Sequence, residues 1–256
     1  MHLVDNASAD GTVERVRTRF PDVKVWPLEE NAGFSAANNL VLRATHAPYA
    51  LLLNPDTEAT EGALDHMLDL MRQRPEIGMA GCRLVLPDGS FDHAAKRSFP
   101  TPLSALAHFV GVGRHLSRGG LAGYRAPDLP ERGAGRVDAV NGAFMLVRRS
   151  ALEQVGLLDE GYWLYMEDLD WCYRFWQRGW IVWYDGEVAF IHVKGGASGR
   201  HRAPRQNIAF HRGMGRFYRR FYATDHPVAA PFVYAAIGMK LAISLARSAR
   251  ASRSLA

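Results

Sequence analysis

The chain has 256 residues, of which 48% are hydrophobic, and a net charge of +5, so it can bury a sizeable core. This composition argues against an intrinsically disordered protein. Two cysteines, Cys82 and Cys172, are too few for a disulfide framework or a thiolate metal cluster, so we expect both to pack in the core of a protein from a reducing compartment.

Charge is distributed unevenly along the chain. The stretch from Lys194 onward holds twelve basic residues and one acidic residue, Asp225, whereas the preceding residues carry a net negative charge. The sequence therefore predicts an acidic body followed by a basic tail, with a boundary near residue 200. A basic tail favours an anionic partner.

The first 90 residues alternate short apolar runs with helical patterns. Strands are predicted at HLV, VKVWPL, YALLL and IGMAGCRLVL, and helices at GTVERVRTRF, GFSAANNLVLRAT and EGALDHMLDLMRQRP. This rhythm predicts a mostly parallel sheet flanked by helices. The chain opens without a signal peptide and inside a strand, so we expect the first strand and helix of a nucleotide-binding fold to be missing.

The regular pattern stops between Leu86 and Asp138. That stretch is rich in Gly, Pro, Ser and Arg, and we interpret it as a surface excursion or mobile acceptor loop without a core. Regular structure resumes with a strand and a helix start at VDAVNGAFMLVRRSAL. A further helix is predicted at LYMEDLDWCYRFWQRG, ended by Gly179.

A buried strand ends in the sequence LLLNPDT. Because Pro55 cannot donate a ladder hydrogen bond, the strand stops there, and ligands of open α/β sheets bind in crevices at the carboxyl ends of strands. Asn54 and Asp56 offer oxygen ligands suited to Mg²⁺ or Mn²⁺. The same four residues, Asn-Pro-Asp-Thr, are also typical of an ordinary turn.

Two further groups indicate chemistry. Glu167, Asp168 and Asp170 share one helical turn among seven aromatic residues, and burial there raises a carboxyl pKa toward values useful for a general base. Acids near a helix start can also merely favour the helix dipole. His192 ends an apolar run before a glycine-rich break, which fits a metal or phosphate site as well as a satisfied core histidine.

The basic tail contains two amphipathic stretches. In the first, five apolar side chains share one helical face: Phe210, Met214, Phe217, Tyr218 and Phe221. The second runs from Val228 to Ala246 and is interrupted by Pro231 and Lys240. We expect this second helix to lie on a membrane surface rather than to span the bilayer.

Six short motifs appear in a fixed order: VDNASADGT, NAGFSAANN, LLLNPDT, NGAFMLVRR, YMEDLDWCYR and IHVKGGAS. Together they resemble the inverting glycosyltransferases of family 2, particularly the bacterial branch that includes rhamnosyltransferases. The resemblance extends from Leu3 to about Tyr222. It implies a GT-A fold, which is Rossmann-like, over residues 1–200, with the basic amphipathic helices of residues 201–256 following it.

The resemblance also implies roles for individual residues. Asp5 holds the nucleotide base, and the metal-binding element falls on Asn54 and Asp56, with His192 as the distal ligand. Since an amide replaces the first carboxylate, the divalent metal depends mainly on Asp56. Asp168 is the general base and Glu167 is its acidic partner.

Further contacts follow from the same motifs. The nucleotide-sugar site is expected to include Asn6, Asn31, Gly33 and Asn38. The acceptor site is expected to include Asn141, Gly142, Asp170 and Arg174. With one base and no carboxylate nucleophile, the sugar configuration should invert.

The expected partners are a nucleotide-sugar donor, a glycan or lipid-linked acceptor and an anionic membrane, with no nucleic acid. The expected location is the cytoplasm, on the inner face of the plasma membrane, in the assembly of cell-wall polysaccharide.

Three alternatives remain open. The chain could be an inactive fragment, because the family usually begins with another strand and nucleotide-cradling turn. It could bind nucleic acid through the basic tail, although the acidic body would repel that ligand. It could be a glycoside hydrolase, although its acids are too close in sequence to flank a sugar ring easily.

Overall fold

The computed structural model describes residues 1–100, 129–193 and 203–253, and these ranges form ten strands and seven helices. The strands are β1 (His2–Asp5), β2 (Lys24–Pro27), β3 (Tyr49–Leu53), β4 (Thr57–Ala59), β5 (Ile77–Val85), β6 (Lys96–Arg97), β7 (Ala134–Arg136), β8 (Ala139–Val140), β9 (Phe144–Arg148) and β10 (Ile181–His192). The helices are α1 (Thr12–Arg19), α2 (Phe34–Ala44), α3 (Ala63–Gln73), α4 (Arg149–Val155), α5 (Glu167–Gln177), α6 (Pro204–Phe221) and α7 (Ala230–Arg253). The α/β class and all seven elements predicted up to residue 85 are confirmed.

The central sheet has six strands in the order β3-β9-β5-β10-β4, with β7 also paired to β10. It is mixed rather than mostly parallel, because β5 and β10 are its one parallel pair. The chain leaves β5 at the carboxyl edge and has no crossover helix among the described residues before β9. A parallel neighbour needs such a crossover, so β9 returns antiparallel between β3 and β5.

A separate parallel pair, β1 and β2, is connected by α1. Helix α2 follows β2, and its start lies against the loop before α5, where the Phe34 N–H donates to the Trp163 carbonyl at 2.9 Å. Gly33 makes this contact possible, because its φ is +86° and an added Cβ would lie 2.4 Å from the Trp163 oxygen.

The main core lies on the central sheet and is closed by α3, α5 and α6. Met67, Met71 and Phe175 are fully buried there. Both cysteines belong to this core, as predicted: Cys82 is 1% and Cys172 is 0% exposed, and burial raises the pKa of both thiols.

The first helix of the basic tail is part of the folded body. Phe217 of α6 is 1% exposed, and the Phe221 ring lies 4.3 Å from the Tyr173 ring of α5. Helix α7 folds back on α6 through Val233 and Ile237, and the Asn207 side chain donates to the Ser248 hydroxyl at 3.2 Å. The predicted domain boundary at residue 200 lies outside the described residues.

One helix in the described part of the chain is long and apolar enough to cross a membrane. This segment of α7, Ala230–Ser248, has a mean hydropathy of 1.2, and 11% of it is buried. Its outer face carries Phe232, Met239 and Ile243, which are 69%, 59% and 46% exposed. The choice between a surface-lying helix and a span stays a prediction.

The interpretation of residues 86–138 as a surface excursion is wrong for residues 92–97. Asp92, Ala95, Lys96 and Arg97 are all buried, and β6 pairs with β8. These charged side chains enter the core because charged or carbonyl partners meet them there. Residues 101–128 of the stretch lie outside the described residues.

Candidate active site

The turn between β3 and β4 meets the end of β10. Asp56 follows Pro55 in this turn, and its carbonyl accepts the Val193 N–H at 2.8 Å. The Asp56 Oδ1 atom lies 3.5 Å from His192 Nε2 and is buried without a hydrogen bond. A buried carboxylate oxygen that lacks a donor is a suitable ligand for a cation.

A second carboxylate orients the imidazole. Asp92 Oδ2 lies 3.2 Å from His192 Nδ1, so Nε2 is directed at Asp56. A metal-binding histidine commonly donates its other ring nitrogen to a carboxylate in this way. Asp56, His192 and Asp92 therefore form a line suited to a divalent metal. The glycine-rich break after His192 lies outside the described residues.

Asn54 contributes to the same turn through its backbone. Its N–H donates to the Ala143 carbonyl at 3.0 Å, and its carbonyl accepts the Thr57 hydroxyl at 2.6 Å. The first contact joins the Asp56 turn to residues 141–143. Because Gly142 contacts Asp168, these two turns connect the metal-binding candidates to the acidic pair.

The acidic pair opens α5 after a strained turn. Tyr165 and Met166 both have left-handed backbones, with φ of 69° and 72°, although neither is glycine. Such positions cost about 1–3 kcal/mol each and occur preferentially at functional sites. The turn starts the helix at Glu167, three residues later than the predicted segment, and buries Glu167 and Asp168.

Asp168 is held by three donors. Its Oδ2 forms a salt bridge with Arg97 and accepts the Gly142 N–H at 3.2 Å, while its Oδ1 accepts the Leu169 N–H at 2.8 Å. Arg97 also donates to the Val140 carbonyl at 2.6 Å. The carboxylate is thus fixed beside Gly142 and is neutralised by one guanidinium.

Glu167 differs from its neighbour because its Oε2 atom is buried without a hydrogen bond. Burial, followed by the negative charge of Asp168, raises the pKa of Glu167 to about 8. Glu167 therefore keeps its proton to a higher pH than an exposed glutamate does. Asp168, in contrast, is paired with the Arg97 guanidinium.

The free energy of unfolding should depend less on pH in the Glu167→Gln variant than in the wild type. The folded wild type keeps a proton that the unfolded chain releases, so its free energy of unfolding falls as pH rises from about 4.5 to about 8. The variant lacks this loss and should be the more stable protein at pH 8. Denaturant titrations at pH 5 and pH 8 measure the difference.

Glu153→Gln removes an exposed carboxyl and serves as the matched control, with a wild-type pH dependence. Equal pH slopes for Glu167→Gln and the wild type would contradict the raised pKa.

The predicted nucleotide residues surround the start of α2. Asn6 accepts the Ala32 N–H at 2.8 Å and donates to the Gly33 carbonyl at 3.2 Å. Asn31 accepts the Gly33 N–H, and Asn38 donates within α2 to the Phe34 carbonyl. Their side chains thus shape this loop.

Asp5, the last residue of β1, lines a cleft of about 470 Å³. The Asp5 Oδ2 atom accepts a hydrogen bond from the Ser8 N–H at 3.0 Å, and the whole residue is 5% exposed. The cleft lies next to β1 and α1, where the resemblance predicts the nucleotide base.

The predicted acceptor residues separate into two places. Asn141 and Gly142 lie beside Asp168, where Asn141 also donates to the Ala94 carbonyl at 3.4 Å. Asp170 and Arg174 form an ion pair at 2.7 Å elsewhere. Residues two apart in a helix point to nearly opposite sides, so Asp170 does not join Asp168.

Sequence reasoning missed Asp92 and Arg97, which contact His192 and Asp168. They belong to a stretch with no apolar period, and β6 has only two residues. The one available signal was the sequence FDHAAKR, in which charged side chains flank two alanines.

A different trio of possible metal ligands, His66, Asp185 and Glu187, has ligand atoms within 4.8 Å of one another. Asp185 pairs with Cys82 of β5 and Ile191 pairs with Val85, so Asp185 and His192 lie about four strand positions apart, or about 13 Å, and this trio is not part of the candidate active site.

Comparisons with known proteins agree on one family. The sequence pattern described as "Glycosyl transferase family 2" matches residues 1–156. An N-acetylglucosaminyl-diphospho-decaprenol L-rhamnosyltransferase from Mycobacterium tuberculosis is 31% identical over 221 residues, which are 82% of this chain and 70% of the relative.

Two solved structures share the fold. GalNAc-T7, solved with UDP, GalNAc and Mn²⁺, aligns with a TM-score of 0.58 and 13% identity over 85% of this chain and 41% of its own. A mannosyltransferase from Pyrobaculum calidifontis, in complex with GDP-Man and Mn²⁺, aligns with a TM-score of 0.55 and 17% identity over 98% of this chain and 66% of its own. Both confirm the GT-A architecture.

The family pattern covers more than half of the chain, and the rhamnosyltransferase relative extends the similarity past α5 to most of it. These matches favour a transferase over the nucleic-acid-binding alternative. The chain therefore belongs to glycosyl transferase family 2 and is a glycosyltransferase.

Proposed function

We propose that this protein transfers a sugar, of the rhamnose type, from a nucleotide-sugar donor to a lipid-linked or glycan acceptor with inversion. The observation that supports the proposal is that the Asp56 turn and Asp168 both contact residues 141–143, while His192 lies 3.5 Å from Asp56. The acceptor class follows the printed activity of the rhamnosyltransferase relative.

A divalent metal is proposed to bind Asp56 and His192, with Asn54 as a further ligand. The fit rests on the donor-free Asp56 Oδ1 atom and on the imidazole that Asp92 orients toward it. Such an ion neutralises charge on a departing diphosphate. Carboxylate and amide oxygens suit both Mg²⁺ and Mn²⁺.

Asp168 is proposed to accept the proton of the attacking acceptor hydroxyl. The acceptor oxygen then forms the bond to the anomeric carbon while the bond to the nucleoside diphosphate breaks. One carboxylate base on one face gives inversion. The raised pKa of Glu167 reduces the negative charge beside the reacting oxygen at neutral pH.

Helix α7 is proposed to hold the protein at an anionic membrane on its cytoplasmic side. Its outer face is apolar and its last turns contain Arg247, Arg250 and Arg253. Each basic residue near such a surface contributes about 1 kcal/mol, so these residues would favour binding. A membrane location would place the enzyme near lipid-linked acceptors of cell-wall glycan assembly.

A screen of nucleotide sugars by thermal shift tests this function. A true donor should raise the melting temperature in the presence of Mn²⁺ and much less in the presence of a chelator, because binding to the folded state stabilises it. A donor at 100 times its Kd adds about 2.7 kcal/mol. The donor identified should then support sugar transfer to a lipid-linked acceptor.

Release of free sugar from a glycan without a nucleotide donor would contradict the proposal and favour a hydrolase. The proposal would also be contradicted if no nucleotide sugar changed the melting temperature in the presence of Mn²⁺.

A further inference from the structure

We propose that a cleft between α5 and α6 binds the diphosphate of a lipid-linked sugar acceptor. This inference rests on the proposed function, which supplies the acceptor class. The cleft, called here the arginine cleft, has a volume of about 510 Å³. Its lining consists of Leu157, Asp159, Arg174, Arg216, Arg219 and Arg220.

Two carboxylates hold three of the arginines in place. Asp159 accepts hydrogen bonds from Arg216 Nε at 3.0 Å and Arg216 Nη2 at 2.8 Å. It also accepts one from Arg220 Nη1 at 2.7 Å. Asp170, which is fully buried, accepts Arg174 Nε at 2.7 Å and Arg220 Nη1 at 3.0 Å. The guanidinium groups are thus positioned before any ligand arrives, which reduces the entropy cost of binding.

The arginine cleft has an excess of positive charge. Three guanidinium groups share two carboxylates, and Arg219 is exposed and pairs with no acid among the described residues. The excess is therefore two positive charges. A diphosphate that joins a sugar to a prenol carries two ionised oxygens at neutral pH. Arginine binds such oxygens with paired hydrogen bonds.

The donor diphosphate is not the ligand expected here. The residues proposed for the donor and its metal, Asp56 and His192, connect to Asp168 through the turn at residues 141–143. Asp170 points to the other side of α5 from Asp168, and the arginine cleft lies on that side.

The lipid part of the acceptor has a matching neighbour. Tyr218 of α6 packs on Val233 and Ile237 of α7, so the two helices form one hairpin. Phe232 and Met239 lie on the exposed face of α7, about 20° apart around the helix. An apolar face on one helix and arginines on the other suit a molecule whose prenyl chain is in a bilayer and whose diphosphate is at its surface.

Vesicle binding by the full-length protein tests the proposal. Binding to phosphatidylcholine vesicles that contain undecaprenyl diphosphate is compared with binding to phosphatidylserine vesicles. Soluble inorganic diphosphate is added as a competitor in a separate measurement. Arg219→Gln should weaken binding to the diphosphate vesicles about tenfold, the effect of one charge-assisted hydrogen bond, and Arg219→Glu should weaken it further. Soluble diphosphate should compete with the wild type.

Arg212→Gln is the matched control, because Arg212 is exposed on α6 two turns before Arg219 and lies outside the cleft. It should bind diphosphate vesicles like the wild type. Equal losses for both glutamine variants on both kinds of vesicle would overturn the proposal in favour of general attraction to anionic headgroups. Unchanged binding by Arg219→Glu would also overturn it.

Donor binding and vesicle binding, measured on the same Arg219 variants, separate this inference from the proposed function. If vesicle binding follows the Arg219 variants while no nucleotide sugar binds, the arginine cleft stands and the transferase mechanism fails. If donors bind and react but the Arg219 variants bind diphosphate lipid like the wild type, only the cleft assignment fails.

Discussion

The Asp168→Asn variant should turn over about 100-fold more slowly than the wild type, or slower still, because the amide cannot accept the acceptor hydroxyl's proton. Donor binding should be nearly unchanged, since the donor contacts lie across the turn at residues 141–143. Initial rates of sugar transfer at saturating donor, together with donor affinity from thermal shift, measure the two effects separately.

The same substitution should also destabilise the fold. Arg97 and Asp168 side chains are 8% and 10% exposed, and removing one partner of a buried pair costs about 3–5 kcal/mol. Arg97→Met breaks the same pair but keeps the carboxylate, so it should lose similar stability and retain more turnover. Equal turnover losses in the two variants, both folded at the assay temperature, would remove Asp168 from the role of base.

Asp56→Ala should weaken Mn²⁺-dependent donor binding by about 100-fold or more. Substitutions of residues that only orient a metal ligand typically cost 10–100-fold, and Asp56 is proposed as a direct ligand. Its Oδ1 atom has no hydrogen bond to lose, so the fold should tolerate the change. Calorimetric titration of Mn²⁺ in the presence of a bound donor measures the affinity.

Asp92→Asn provides a graded comparison, with a loss of about 10–100-fold, because the amide holds the His192 ring less well. Glu58→Ala removes an exposed carboxylate two residues after Asp56 and is the matched control. Full Mn²⁺ affinity in Asp56→Ala would show that the metal binds elsewhere.

Much of the fold could be predicted because its signals are local. The end of β3 at Leu53 was predictable from a buried run closed by proline, and the end of α5 was predictable from Gly179. The antiparallel insertion of β9 was not, since it depends on where the preceding excursion returns to the sheet. Strand direction is a property of the whole sheet.

The candidate site could be predicted in part. The motif resemblance selected Asp56, His192 and Asp168, which the structure connects through short contacts. Their partners Asp92 and Arg97 could not be found from sequence, because a buried charge is identified only by the group that meets it. Helical geometry alone could have separated Asp170 from Asp168.

Gly213 of α6 lies directly beneath the strained turn at Tyr165 and Met166. An added Cβ there would lie 3.1 Å from both the Tyr165 carbonyl oxygen and the Met166 side chain, so the helix and the turn are in close contact. Helix α6 of the basic tail thus supports the turn that positions Glu167 and Asp168. A shortened chain ending before Pro204 would lose that support, and its acidic pair would relax away from Gly142 even with every proposed catalytic residue still present.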